Sequence, residues 1–146
     1  LGGSIQMKKD FSYASLEKNG DGFKIIVSSY QDEQRKRFAI AQELGHLFLH
    51  MGYKTNAEIW EKQADKVPFQ EKDPEKVRQA NEFAAALLMP RYIFFLTLEA
   101  ASDIAESGKR TINMQSVADF FNVSRSAAYT LAKILGLSER AYYEMS

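Results

Sequence analysis

The hydrophobic pattern divides this chain into a short β region followed by a series of helices. Asn19-Gly20-Asp21-Gly22 is strong turn chemistry, because Gly and Asn accept positive φ. The run Phe23-Lys24-Ile25-Ile26-Val27 follows it and reads as a strand, so residues 11–28 are expected to form a hairpin. Beyond it, a charged opening (Glu33, Arg35, Lys36, Arg37) gives way to Phe38, Ile40, Leu44, Leu47, Phe48 and Leu49. That spacing predicts a helix from Asp32 or Glu33 through His50. It ends near Gly52 and enters the core as it proceeds. Residues 54–74 are polar and hold Pro68 and Pro74; they read as a connection with a short helix around Glu58 to Asp65. A second long helix is expected from Pro74 or Glu75 to Met89, opened by one proline and closed by Pro90. Its Ala84-Ala85-Ala86 centre would let another helix come close. A further helix should run from Pro90 through Leu98 to about Glu106, before Ser107-Gly108. Two short helices then cover Met114 to Phe121 and, after an Asn122-Val123-Ser124 turn, a stretch to Leu135, with Ser124 as N-cap and Gly136 as stop. A last short helix is expected from Ser138.

The expected fold is thus α+β and predominantly helical, and 146 residues suit one domain with its own core. Lys and Arg number 19, as do Asp and Glu, so no overall field draws the chain to nucleic acid or an anionic membrane. With no cysteine there is no disulfide, no thiolate metal site and no thiol nucleophile, which fits a reducing cytoplasm. No apolar run is long enough to span a bilayer, the densest being Tyr92 to Leu98, and no signal peptide is visible. The chain opens Leu-Gly-Gly, and its true N-terminus is expected upstream. Glu17, Asn19, Asp21 and Gly22 imitate a calcium loop, but its twelfth position is Ser28 and its flanks read as strand, so that chemistry is rejected.

The chemical interest lies in Gln42-Glu43-Leu44-Gly45-His46. It differs by one residue from H-E-x-x-H, in which two histidines four apart on a helix hold one zinc ion and the Glu serves as general base. Here the first histidine is Gln42. His50 lies four beyond His46, so residues 42, 46 and 50 form one stripe.

Two motifs, taken together, resemble the ImmA/IrrE metallopeptidase-like family. One is Arg37-Phe38-Ala39-Ile40-Ala41-Gln42-Glu43-Leu44-Gly45-His46-Leu47-Phe48-Leu49-His50, against R-F-T-I-A-H-E-L-G-H-x-x-L-H. The other is Ala80-Asn81-Glu82-Phe83-Ala84-Ala85-Ala86-Leu87-Leu88-Met89-Pro90, against A-N-x-F-A-A-x-L-L-M-P. The resemblance covers most of the chain and implies a single zincin-like domain over residues 1–146, with a small sheet beside the motif helix and a helical tail. The family's usual leading helix and strand are expected upstream of Leu1. The resemblance also implies intracellular cleavage of a helix-turn-helix repressor in phage, mobile-element or stress settings.

Carried over by position, the family's first zinc histidine falls on Gln42, its general base on Glu43 and its second histidine on His46. Its third ligand, a Glu, falls on Val77. Two of three ligands are then lost. A neutral amide is a poor zinc ligand and valine is none, so no cofactor is expected where the family uses zinc. Glu75 and Gln79, two residues either side of Val77, are expected to turn away from the site. Asn81 shares the face of Val77 but offers only an amide. His46 then reads as a hydrogen-bonded core histidine and Glu43 as a carboxylate without catalytic duty. The Phe94-Phe95 pair reads as core.

Residues 111–137 resemble a helix-turn-helix pair, with Asn122 in the usual Gly place. Its second helix carries only Arg125 and Lys133, too few cations for a DNA-reading helix, so the pair is read as structural. The leading expectation is a catalytically inactive, protein-binding regulator that engages a repressor without cutting it. The alternatives are an active metallopeptidase with an unusual ligand set and a DNA-binding regulator working through the tail.

Overall fold

A computed structural model describes residues 1–9, 13–137 and 143–145. The fold is α+β, and the chain divides into two compact units, Leu1–Ala84 and Ala85–Ser146.

The first unit is built on a three-stranded sheet in the order β1-β3-β2, from β1 (Gly3–Lys8), β2 (Ala14–Asn19) and β3 (Gly22–Ser28). The expected turn is present: Asn19 pairs with Gly22, and Gly20 between them takes a φ of +62°. β2 runs antiparallel to β3, and β1 runs parallel to it. β1 is not anticipated from the sequence, although residues 4–8 alternate polar and apolar (Ser4-Ile5-Gln6-Met7-Lys8).

Helix α1 (Glu33–Leu49) starts where the Asp32 carboxylate accepts the Arg35 amide at 2.8 Å, an N-cap bond. It ends with the His50 and Met51 amides both returning to the His46 carbonyl. Gly52 then turns the chain at φ +79°; a Cβ there would stand 2.6 Å from the Asn56 carbonyl oxygen, so only glycine fits. α1 lies over β2 and β3, and Leu16, Phe23, Ile25, Val27, Leu47, Met51 and Tyr53 make the buried core between them. Leu49, expected in that core, is exposed. Ile5 and Met7 of β1 pair with Ile25 and Val27 and so share their face, yet both are more than half exposed, at 55% and 58%. A short α2 (Ala57–Glu61), capped by Asn56, stops earlier than the Asp65 expected. After it comes α3 (Pro74–Leu88), whose last turn belongs to the second unit.

In the second unit, α4 (Arg91–Ala100) gives the unit Phe94 and Leu98 as buried core, with Phe95 packed against it. The expected continuation of this helix to Glu106 is not found. Ser102–Ile104 form strand β4, antiparallel to β5 (Arg110–Ile112), with Gly108 at φ +79° in the turn. The Ala101 carbonyl accepts the Asn113 amide, and the Ser102 hydroxyl closes on the Glu99 carbonyl. Hairpin pairing therefore satisfies the backbone that a longer helix would have used. α5 (Met114–Phe121) and α6 (Arg125–Ile134) follow as expected. Asn122 sits left-handed at φ +52°, and the Ser124 hydroxyl accepts the Ala127 amide. Met114, Val117, Val123, Leu131 and Ile112 complete the core. The helix expected from Ser138 falls outside the described residues; Tyr143–Met145 form β6, parallel to β5.

Candidate functional site

The motif residues sit where α1 crosses α3 within the first unit. The crossing is close because Gly45 carries no side chain. A Cβ there would lie 3.1 Å from Ala80 Cα and 3.2 Å from both the Ala80 carbonyl oxygen and Phe83 Cβ. The expected close approach therefore falls at Gly45 and Ala80, one turn before the Ala84-Ala85-Ala86 run.

Around this contact the polar residues bond to each other. The Gln42 amide donates to the Asn81 side-chain oxygen and accepts from the Tyr13 hydroxyl. Further along the helix, His46 Nδ1 and His50 Nδ1 stand 2.9 Å apart, and His50 Nε2 is 3.0 Å from Gln79 Oε1. With a carbonyl oxygen facing it, His50 Nε2 carries a proton, so His50 Nδ1 is the acceptor and His46 Nδ1–H donates to it. The two imidazoles thus form a chain that ends on α3. Phe69 packs against His46, ring centroids 5.7 Å apart.

The electrostatics follow from burial. Glu43 is half-buried, and loss of solvent pushes its carboxyl up to about 7. The same burial, with the negative charge of Glu43 nearby, raises the Tyr13 hydroxyl above its ordinary value. His46 is lowered, first by burial and then by His50, with Glu71 acting in the opposite direction. Glu71 is lowered, chiefly by the Asp73 amide bonded to it, with Lys76 and His50 adding to this.

Of the positions singled out in the sequence, Gln42, Glu43 and His46 are half-buried on α1, and His50 is half-buried at its C-cap. Val77 is 38% exposed. Gln79, expected to turn away, reaches His50 instead. Ala80 is the residue at the crossing, so its neighbours Gln79 and Asn81 straddle it and their amides extend to opposite ends of the motif. Three participants have no counterpart in the sequence reading: Tyr13, Phe69 and Glu71. Each comes from a loop or strand entrance, where side-chain periodicity carries no signal.

A model of the IrrE N-terminal-like domain, a peptidase family, matches residues 6–131. The chain belongs to this family. As an IrrE N-terminal-like domain it is a member of a zincin-like metallopeptidase group whose chemistry depends on zinc. A comparison with individually curated proteins gives no match. The residues of this IrrE N-terminal-like domain do not fit a catalytic zinc. Among the described residues no three His, Cys, Asp or Glu side chains converge as a metal-holding group. Gln42 offers a neutral amide already bonded on both sides, and one imidazole at His46 is too few ligands for a catalytic zinc.

Proposed function

We propose that this IrrE N-terminal-like domain has lost its hydrolytic chemistry and acts by binding a protein partner without cutting it. The observation that carries the reading is the bonding of Gln42. At the position of the first zinc ligand stands an amide whose donor and acceptor are both taken up inside the protein, by Asn81 and Tyr13. Without a metal to acidify water, Glu43 has nothing to deprotonate at neutral pH. The family resemblance supplies the class of partner, a helix-turn-helix repressor of phage or mobile-element type, and a cytoplasmic setting. The α5–α6 pair has no role in nucleic-acid binding here. Its second helix offers Arg125 and Lys133, and the Lys133 ammonium lies over the Tyr129 ring, 5.0 Å from its centroid.

A second reading, an active metallopeptidase with substitute ligands, draws on Glu43, whose carboxyl near 7 has the proton affinity of a working acid–base group. Metal analysis of the purified protein separates the two. The dead-site reading expects no stoichiometric zinc. One zinc per chain, removable by EDTA with loss of a cleavage activity that Glu43→Gln also abolishes, would establish the active enzyme. Two restored variants locate the third ligand position. Gln42→His with Val77→Glu should gain zinc affinity by calorimetry if the sequence alignment places it correctly. Gln42→His with Gln79→Glu should gain it instead if the α3 side chain that reaches the histidines is the relevant one.

A further inference from the structure

The densest apolar run of the chain, Tyr92 to Leu98, lies in α4, and the second unit buries only one side of it. Phe94 and Leu98 are buried, and Phe95 packs beside them. At 3.6 residues per turn, Tyr92, Leu96 and Ala100 form a row on the opposite side of the helix, with Ile93 next to it. All four are exposed: Tyr92 at 76%, Leu96 at 53%, Ile93 at 43%, and Ala100 at the end of the row. An ordinary surface helix is polar opposite its core face, whereas one that is apolar all round is covered on both sides.

The polar residues of α4 keep to the margins of this row. The Thr97 hydroxyl donates to the Ile93 carbonyl at 2.7 Å and is satisfied within the helix. The Arg91 guanidinium lies over the Phe95 ring, 5.7 Å from its centroid. The Glu99 carboxylate accepts the Arg110 guanidinium at 2.6 Å through one oxygen, which leaves the other. By helical phase Arg91 and Glu99 lie on the same flank of the row, at opposite ends. A charge-free centre with a charged rim is the anatomy of a protein–protein contact.

We infer that this face of α4 is the contact of a homodimer, in which the two copies of the helix pack antiparallel about a two-fold axis at Leu96. The face is self-complementary in that arrangement. Leu96 meets its own copy on the axis. Bulky Tyr92 and Ile93 at one end meet small Ala100 of the second copy at the other. The axis also sets each flank beside the same flank of the copy, so Arg91 comes alongside Glu99 of the second copy. A parallel pair would instead put Tyr92 against Tyr92 and Arg91 level with Arg91. The apolar part spans a few hundred Å² per copy, near the lower limit for a specific contact, so the dimer is weak and forms with rising concentration. The face belongs wholly to the second unit, so the dimer forms whether or not the first unit binds or cuts a partner.

Sedimentation equilibrium on the unmodified protein should show the average mass rising from one chain toward two between about 1 μM and about 500 μM. Leu96→Asp would bury a charge at the axis and should weaken association at least about tenfold. Its circular dichroism should stay native, because Leu96 is exposed in the single chain. Arg91→Glu should weaken the dimer several-fold, and adding Glu99→Arg should restore it. Because the chain has no cysteine, Leu96→Cys supplies one thiol per copy, and mild oxidation should link the copies across the axis. Ala100→Cys places the two thiols about 12 Å apart along the helices, beyond disulfide reach, and should link at least about tenfold more slowly. A chain that stays monomeric throughout, a dimer indifferent to Leu96→Asp, or equal linking at both positions would each overturn the dimer. So would binding to vesicles of phosphatidylcholine and phosphatidylserine by a chain that remains monomeric, which would give the face to a membrane instead.

Discussion

Helices α1 and α3 meet along two seams that differ in kind. One is small and apolar: Gly45 against Ala80, where backbones touch and no side chain intervenes. The other is polar: Gln42 to Asn81 at one end, and His46 through His50 to Gln79 at the other. The first seam sets how closely the helices approach. The second uses that approach to satisfy polar side chains, two of which, Gln42 and His46, stand at the family's zinc-ligand positions. A fold can therefore keep the contact that shapes a site while the residues within it turn to bonding one another.

If that division is right, the largest effect of any single change should come from the apolar seam. Gly45→Val would push two methyl groups into the Ala80 backbone, and overpacking of this kind costs about 3 kcal/mol. Chemical denaturation should show it as a lower midpoint at unchanged slope. A cost below about 1 kcal/mol would mean that the helices slide apart easily and that the seam does not set the geometry.

Next in size is Glu43→Gln. The folded-state carboxyl, at about 7, lies above the ordinary carboxylate value, so the native state binds more protons than the unfolded chain between those two pH values. The stability it contributes is present in full below the unfolded value and is lost as pH rises through 7. The Gln variant lacks this loss. It should match the parent near pH 4 and exceed it by about 2 kcal/mol above pH 8, measured by urea unfolding across pH.

Smaller again is Asn81→Ala, which removes the acceptor of the Gln42 amide but leaves the Tyr13 bond. It should lower stability by about 1 kcal/mol in the same assay. A loss equal to that of Gly45→Val would erase the distinction between the seams. Smallest is Leu49→Ser, on the exposed side of the same helix, with an expected change within about 0.5 kcal/mol.

The sequence made the long elements legible because each carried punctuation as well as periodicity: Asp32 and Gly52 around α1, Pro74 and Pro90 around α3, Asn122 and Ser124 between α5 and α6. It concealed β4 because Ser102-Asp103-Ile104 has weak strand preference and becomes a strand only through Arg110–Ile112 opposite it. The site was legible along α1, where motif spacing fixes the helical stripe. It was not legible across the gap to α3. Helical phase measured from Val77 gave the wrong direction for Gln79, since the crossing point at Ala80 is a tertiary fact. Tyr13 reaches Gln42 only because the strand it precedes is held in register by β3, and nothing local encodes that reach.

The sheet of the first unit also has an order in time. β2 and β3 are joined by a two-residue turn and can pair within microseconds, as short-loop hairpins do. β1 pairs in parallel with β3 across the whole of β2, as Gly3 opposite Phe23 shows, so its contacts close a much longer loop. The hairpin therefore offers a finished edge before β1 arrives. Substitutions at Ile5 or Met7 should leave the folding rate nearly unchanged and appear in the unfolding rate, whereas changes at Gly20 should slow folding itself.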